Sequence, residues 1–146
     1  WFVDNFEVLL INCLDVTSYC TAAPNSVSAH GAPLTASGST SLAANNLSLH
    51  ASSLPTLSFG IVIYADGQTN TPVGDGFLCV SGNPVYRLAI VQADAGGDMN
   101  YQVSQASLAP GFAMVPGDHA NFQLWYRDTS PAGFNFTSGL TAVFCQ

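Results

Sequence analysis

Apolar residues in this chain recur at every second position. Across residues 46–51, Leu47, Leu49 and Ala51 alternate with Ser48 and His50, which is the period of a half-buried strand. Across residues 121–127, Phe122, Leu124 and Tyr126 alternate with Asn121, Gln123 and Trp125. Residues 57–65 form a nearly continuous β-branched and aromatic run, as expected of a central strand covered on both faces. The same reading predicts strands over residues 2–11, 26–37, 77–80, 85–91, 99–104 and 140–145. No window sustains apolar residues at i, i+3, i+4 and i+7, and Gly, Pro, Ser, Thr and Asn interrupt every long stretch. Gly74-Asp75-Gly76, Asp94-Ala95-Gly96-Gly97 and Pro116-Gly117 supply turn chemistry between the strands.

About eight or nine short strands at this spacing predict an all-β fold, an antiparallel β-sandwich of Ig-like or jelly-roll type with an extra N-terminal strand. Two segments are expected, residues 1–14 and a sandwich module over 15–146, with the softest boundary at 15–18. Residues 1–14 have no hairpin partner beside them in sequence. They are read as the first strand of this sandwich, the last strand of a preceding domain, or a strand donated to a neighbouring subunit. In the last case Trp1, Phe2, Val3, Phe6, Val8 and Leu10 are the assembly residues, because an apolar strand edge aggregates unless it is paired.

Composition narrows the role. Only 8% of the 146 residues are charged, there is no Lys, and Arg87 and Arg127 stand alone against nine acidic groups. A net charge of −7 excludes a nucleic-acid reader, which needs a basic stripe, and argues against attraction to anionic lipid. No stretch reaches the roughly 18–20 apolar residues of a membrane span, so membrane insertion is not expected. The opening lacks the basic start and small-residue cleavage site of a signal peptide; the chain is expected to be a mature or internal fragment with its targeting signal elsewhere. Four cysteines, Cys13, Cys20, Cys79 and Cys145, contain no Cys-x-x-Cys pair. Two disulfides in an exported protein are expected, each adding roughly 2–4 kcal/mol; from the spacing alone, all three connectivities remain open.

From Tyr19 to Leu140 the chain resembles a module of secreted multidomain bacterial surface proteins of the planctomycete type. The resemblance is carried by Tyr19-Cys20-Thr21-Ala22-Ala23-Pro24-Asn25-Ser26, Ser37-Gly38-Ser39, Phe59-Gly60 and Gly76-Phe77-Leu78-Cys79-Val80. Its most distinctive parts are Asn121-Phe122-Gln123-Leu124-Trp125-Tyr126-Arg127-Asp128 and Phe134-Asn135-Phe136-Thr137-Ser138-Gly139-Leu140. It implies an exported β-rich module without a settled biochemical role and brings no catalytic residue. It also implies that Cys20 pairs with Cys79, which leaves Cys13 for Cys145. The opening Trp1-Phe2-Val3-Asp4-Asn5-Phe6-Glu7-Val8 lies outside the match and looks like the closing strand of lectin-type jelly rolls.

Candidate chemistry is sparse. Trp125, Arg127 and Asp128 form a candidate glycan contact, with Trp125 stacking on a sugar ring. The favoured structural reading makes Arg127–Asp128 a loop-holding ion pair and the aromatics core. Arg87 is expected to organise loop carbonyls or a carboxylate through its fork of donors. Asp94 and Asp98, with Asp66 and Asp75 in another loop, fall short of a calcium site, and Asp before Gly is chiefly turn chemistry. His30, His50 and His119 lie in separate segments, and no Gly-x-Ser-x-Gly elbow exists, so neither catalysis nor a cofactor is expected. Asn46-Leu47-Ser48 and Asn135-Phe136-Thr137 fit the glycosylation acceptor pattern at Asn46 and Asn135. The expected role is that of a non-catalytic extracellular structural module, a fibre subunit or building block of a surface protein joined by β-strand pairing. Its partners are then further copies or neighbouring domains. The alternative is a carbohydrate-binding accessory module of a secreted hydrolase, recognising a neutral glycan.

Overall fold

A computed structural model of the chain describes residues 13–110, 112 and 115–146. In chain order its strands are β1 (Asp15–Tyr19), β2 (Leu34–Ser37), β3 (Ser48–Ala51), β4 (Phe59–Ala65), β5 (Gly67–Val73) and β6 (Gly76–Ser81). They continue with β7 (Tyr86–Gln92), β8 (Met99–Gln102), β9 (His119–Arg127), β10 (Phe134–Phe136) and β11 (Gly139–Val143). The main sheet runs β1-β11-β9-β4-β7, with β10 also on β9. A three-stranded sheet, β2-β3-β8, packs on one side of it, and the β5–β6 hairpin forms a separate two-stranded sheet. All strand pairs are antiparallel, so this is the expected antiparallel sandwich with two disulfides.

Alternation builds the core directly. Val62 and Tyr64 of β4, Phe122, Leu124 and Tyr126 of β9, and Leu140 and Ala142 of β11 point inward from the main sheet. They meet Leu34 of β2, Leu49 and Ala51 of β3 and Met99 of β8, all buried. Each large aliphatic or aromatic side chain fully withdrawn from water contributes about 1.5–3 kcal/mol, so this layer is the main source of stability.

Several expectations shift. Residues 15–18, expected to be the softest boundary, are β1 itself, laddered to β11 from Asp15↔Val143 to Tyr19↔Gly139. A side chain at Gly139 would collide there, since a Cβ would meet the Tyr19 ring at 2.6 Å. Only the end of the expected strand 26–37 is β2. Before it, Asn25 Oδ1 accepts the Val27 and Ser28 amides at 2.9 and 2.7 Å, a turn in which the side chain replaces a backbone acceptor. The short β10, absent from the expected strands, pairs with β9 through Phe134↔Arg127 and Phe136↔Trp125. The predicted strand over residues 2–11 lies outside the described residues.

The hairpin is fixed to the outer face of the main sheet by polar groups. Gln123 is fully buried there: its Oε1 accepts the Cys79 amide at 2.9 Å, and its Nε2 donates to the Phe77 and Thr137 carbonyls at 2.8 Å each. Asn121 donates to Gly67 O at 3.1 Å and accepts from Gln68 Nε2 at 3.1 Å. The Tyr19 hydroxyl donates to Cys79 O at 2.8 Å, and Cys20–Cys79 closes the clamp covalently. Cys13–Cys145 ties the entry to β1 to the end of the chain.

Candidate functional site

The hairpin covers only part of the outer face. Beyond it, Ile90 of β7, Ile61 of β4, Trp125 of β9 and Phe136 of β10 are successive cross-strand partners and form one apolar row across four strands. A shallow groove of ≈ 300 Å³ runs along this row between Phe59, Ile61, Ile90, Trp125 and Arg127. A second of ≈ 310 Å³ continues from Ile61 and Trp125 towards Val85, Arg87 and Phe134. Both Arg residues of the protein therefore border one apolar surface. Phe59 is 54% exposed and Ile90 69% exposed; side chains of this size so open to water, side by side, mark an interaction surface more than a random surface residue does.

The groove ends at a sheet edge. Among the described residues, β7 pairs with β4 alone, and none of its seven residues is buried. A register shift between Ile61 and Ile63 places a bulge in the ladder, which sets Arg87 and Ile90 on the outer face while Tyr86, Leu88 and Val91 pack against the core. The bulge and Arg87 are the devices here that blunt an edge; the centre of the strand is apolar.

The sequence-predicted site residues separate on this frame. Trp125 is half-buried, with Arg127 Cζ 5.3 Å from its ring centroid and Phe134 edge-on at 5.8 Å. Asp128 is buried and turns away, its carboxylate accepting the Ser26 amide at 3.2 Å and the Thr129 amide at 2.9 Å. The expected Arg127–Asp128 ion pair is thus replaced by two separate roles: Arg127 covers an aromatic face, and Asp128 holds a loop. Asn46 is exposed. Asn135 is fully buried, with its Nδ2 donating to Pro24 O at 2.9 Å and its Oδ1 accepting the Phe136 amide at 2.7 Å. The folded chain leaves a glycan no room at Asn135, which corrects that expectation. Trp1, Phe2, Val3, Phe6, Val8 and Leu10, the candidate assembly strand, lie outside the described residues.

Asp94 acts as a turn residue, its Oδ1 accepting the Gly96 and Asp98 amides at 2.9 and 3.0 Å. Among the described residues no three His, Cys, Asp or Glu side chains come together as a metal site. One constellation was not read from the sequence. Ser37 Oγ lies 2.6 Å from His50 Nε2, and His50 Nδ1 meets Asn100 Oδ1. These residues come from β2, β3 and β8, so only strand order unites them. Ser37 and Asn100 are exposed, on the solvent side of that sheet, where water competes with any substrate.

Burial raises three phenols, all with structural partners. Tyr19 and Tyr126 are each pushed up to about 12 by desolvation. Tyr64 is raised for the same reason, against the lowering effect of the Ala109 amide that its oxygen accepts at 2.7 Å. Comparisons with protein-family models, curated proteins and solved structures return no match. No helix among the described residues is long and apolar enough to cross a membrane, and two disulfides suit an oxidising compartment.

Proposed function

We propose that this chain is a non-catalytic structural module of the extracellular space or cell surface, joined to its neighbours by β-strand pairing at β7. The observation that carries the reading is the β7 edge: a strand with one partner among the described residues, an exposed apolar centre, and an apolar groove continuing from it. Strand addition to such an edge supplies backbone hydrogen bonds, and the adjoining pockets supply side-chain selectivity. The 8% charge content supports the same reading, because subunits packed together do without the charge that keeps monomers apart. Placement among repeated modules of exported bacterial surface proteins, as the sequence resemblance implies, is part of this proposal.

The glycan-binding alternative draws less support. Arg127 lies over Trp125, so a stacking sugar displaces it from that face. The test is sedimentation velocity of the full chain over a concentration series, with electron microscopy of the most concentrated sample. Assembly is expected for the native chain and its loss for Ile90→Lys. A native chain that remains monomeric at every concentration overturns the proposal.

A further inference from the structure

We propose that the β7 edge receives residues 1–10 of a second copy of this chain, with Asp4 of the incoming strand beside Arg87. This rests on the strand-pairing reading above and adds the identity of the strand that pairs.

Chemical matching is the first argument. On an extended strand, Phe2, Asp4, Phe6, Val8 and Leu10 share one face, an apolar face interrupted by one acid. The outer side of β7 is its complement, with Arg87 and then Ile90 bordering the apolar groove. Paired strands lie roughly 4.8 Å apart, so a carboxylate opposite Arg87 is within ion-pair reach. Whichever way the incoming strand runs, Phe2 or Phe6 then falls towards Ile90. Edge charge normally repels an incoming apolar strand; a lone Arg instead selects one that carries an acid at the right place.

Reach is the second argument. Cys13 is held at the far side of the main sheet by its disulfide to Cys145 and by the Thr40 amide, which donates to Cys13 O at 2.9 Å. Four strand spacings, roughly 19 Å, separate β1 from β7, and crossing them takes about six extended residues. A crossing within one copy would use up residues 7–12, so the whole alternating run fits along β7 only when another copy supplies it. A head-to-tail contact of this kind builds a filament where its rotation does not close and a ring where it does.

The test is a charge exchange in the full chain, with the self-association constant read by sedimentation equilibrium at low salt. Asp4→Arg and Arg87→Glu are each expected to weaken association about tenfold, and the double variant Asp4→Arg/Arg87→Glu to recover most of that loss. Glu7→Arg changes the charge equally but lies on the opposite face, so Glu7→Arg/Arg87→Glu is expected not to recover. Arg87 is exposed, so its reversal leaves the fold intact, which circular dichroism checks. Equal recovery by both double variants, or by neither, overturns the inference. So does tighter association of Arg87→Glu alone, the sign of β7 pairing with another β7. These outcomes leave edge pairing standing, whereas a native chain that never associates removes both proposals.

Discussion

The two edges of the main sheet are built in opposite ways. At β1 the strand is bracketed by disulfides, Cys13–Cys145 before it and Cys20–Cys79 after it, and Asp15, Thr17 and Ser18 are its exposed residues. At β7 there is no cross-link, and Ile90 faces water at 69% exposure. A polar, clamped edge cannot readily shift to accept another strand; an apolar, unclamped one can. Among the described residues one sheet therefore combines a clamped side with an open side, the polarity that the proposed assembly requires.

The sharpest way to break that contrast is to unseal the β1 side. Replacing Cys20 and Cys79 together by Ala frees the hairpin clamp and is expected to lower unfolding free energy by about 2–5 kcal/mol in urea titration. Gln123→Leu keeps the volume but strands the Cys79 amide and the Phe77 and Thr137 carbonyls, for an expected loss of about 2–3 kcal/mol by the same measurement. At the open edge the expectation reverses. Ile90→Lys is expected to change stability by no more than about 0.5 kcal/mol while abolishing assembly in sedimentation velocity.

The smallest effect is one of pH. Tyr19 beside the clamp is raised from 10.0 to about 12 by burial. Its folded pKa exceeds the unfolded one, so its contribution is complete below pH 10 and falls away as pH rises through 12. Phenolate absorbance is expected to appear for Tyr19 only above the range of an open phenol, and Tyr19→Phe lowers the amplitude of that late step by one tyrosine, leaving the share of Tyr126.

The inward half of the sandwich was legible because burial there follows polarity: Leu47, Leu49 and Ala51, or Phe122, Leu124 and Tyr126, point in and are buried. The outward half was not. The polar members of an alternating run ordinarily face water, yet Asn121 and Gln123 are fully buried because they bind the backbone of a hairpin packed above them. That hairpin's first strand, β5, reads Gly-Gln-Thr-Asn-Thr-Pro-Val, with no apolar alternation to reveal it. Pro72 is tolerated because β5 pairs only with β6 among the described residues. The groove was half legible: Trp125 and Arg127 stood out by type, but Phe59, Ile61, Ile90 and Arg87 join them only through strand order. The identity of β7 as an edge is likewise a property of topology, which local patterning does not encode.

Hydrogen exchange of backbone amides, read on the full chain in dilute and in concentrated solution, tests the contrast between the edges most directly. The outward amides of β7 are expected to exchange rapidly when dilute and to become protected on concentration, with β1 unchanged. Equal exchange of β7 at both concentrations, or protection that develops along β1 instead, contradicts it.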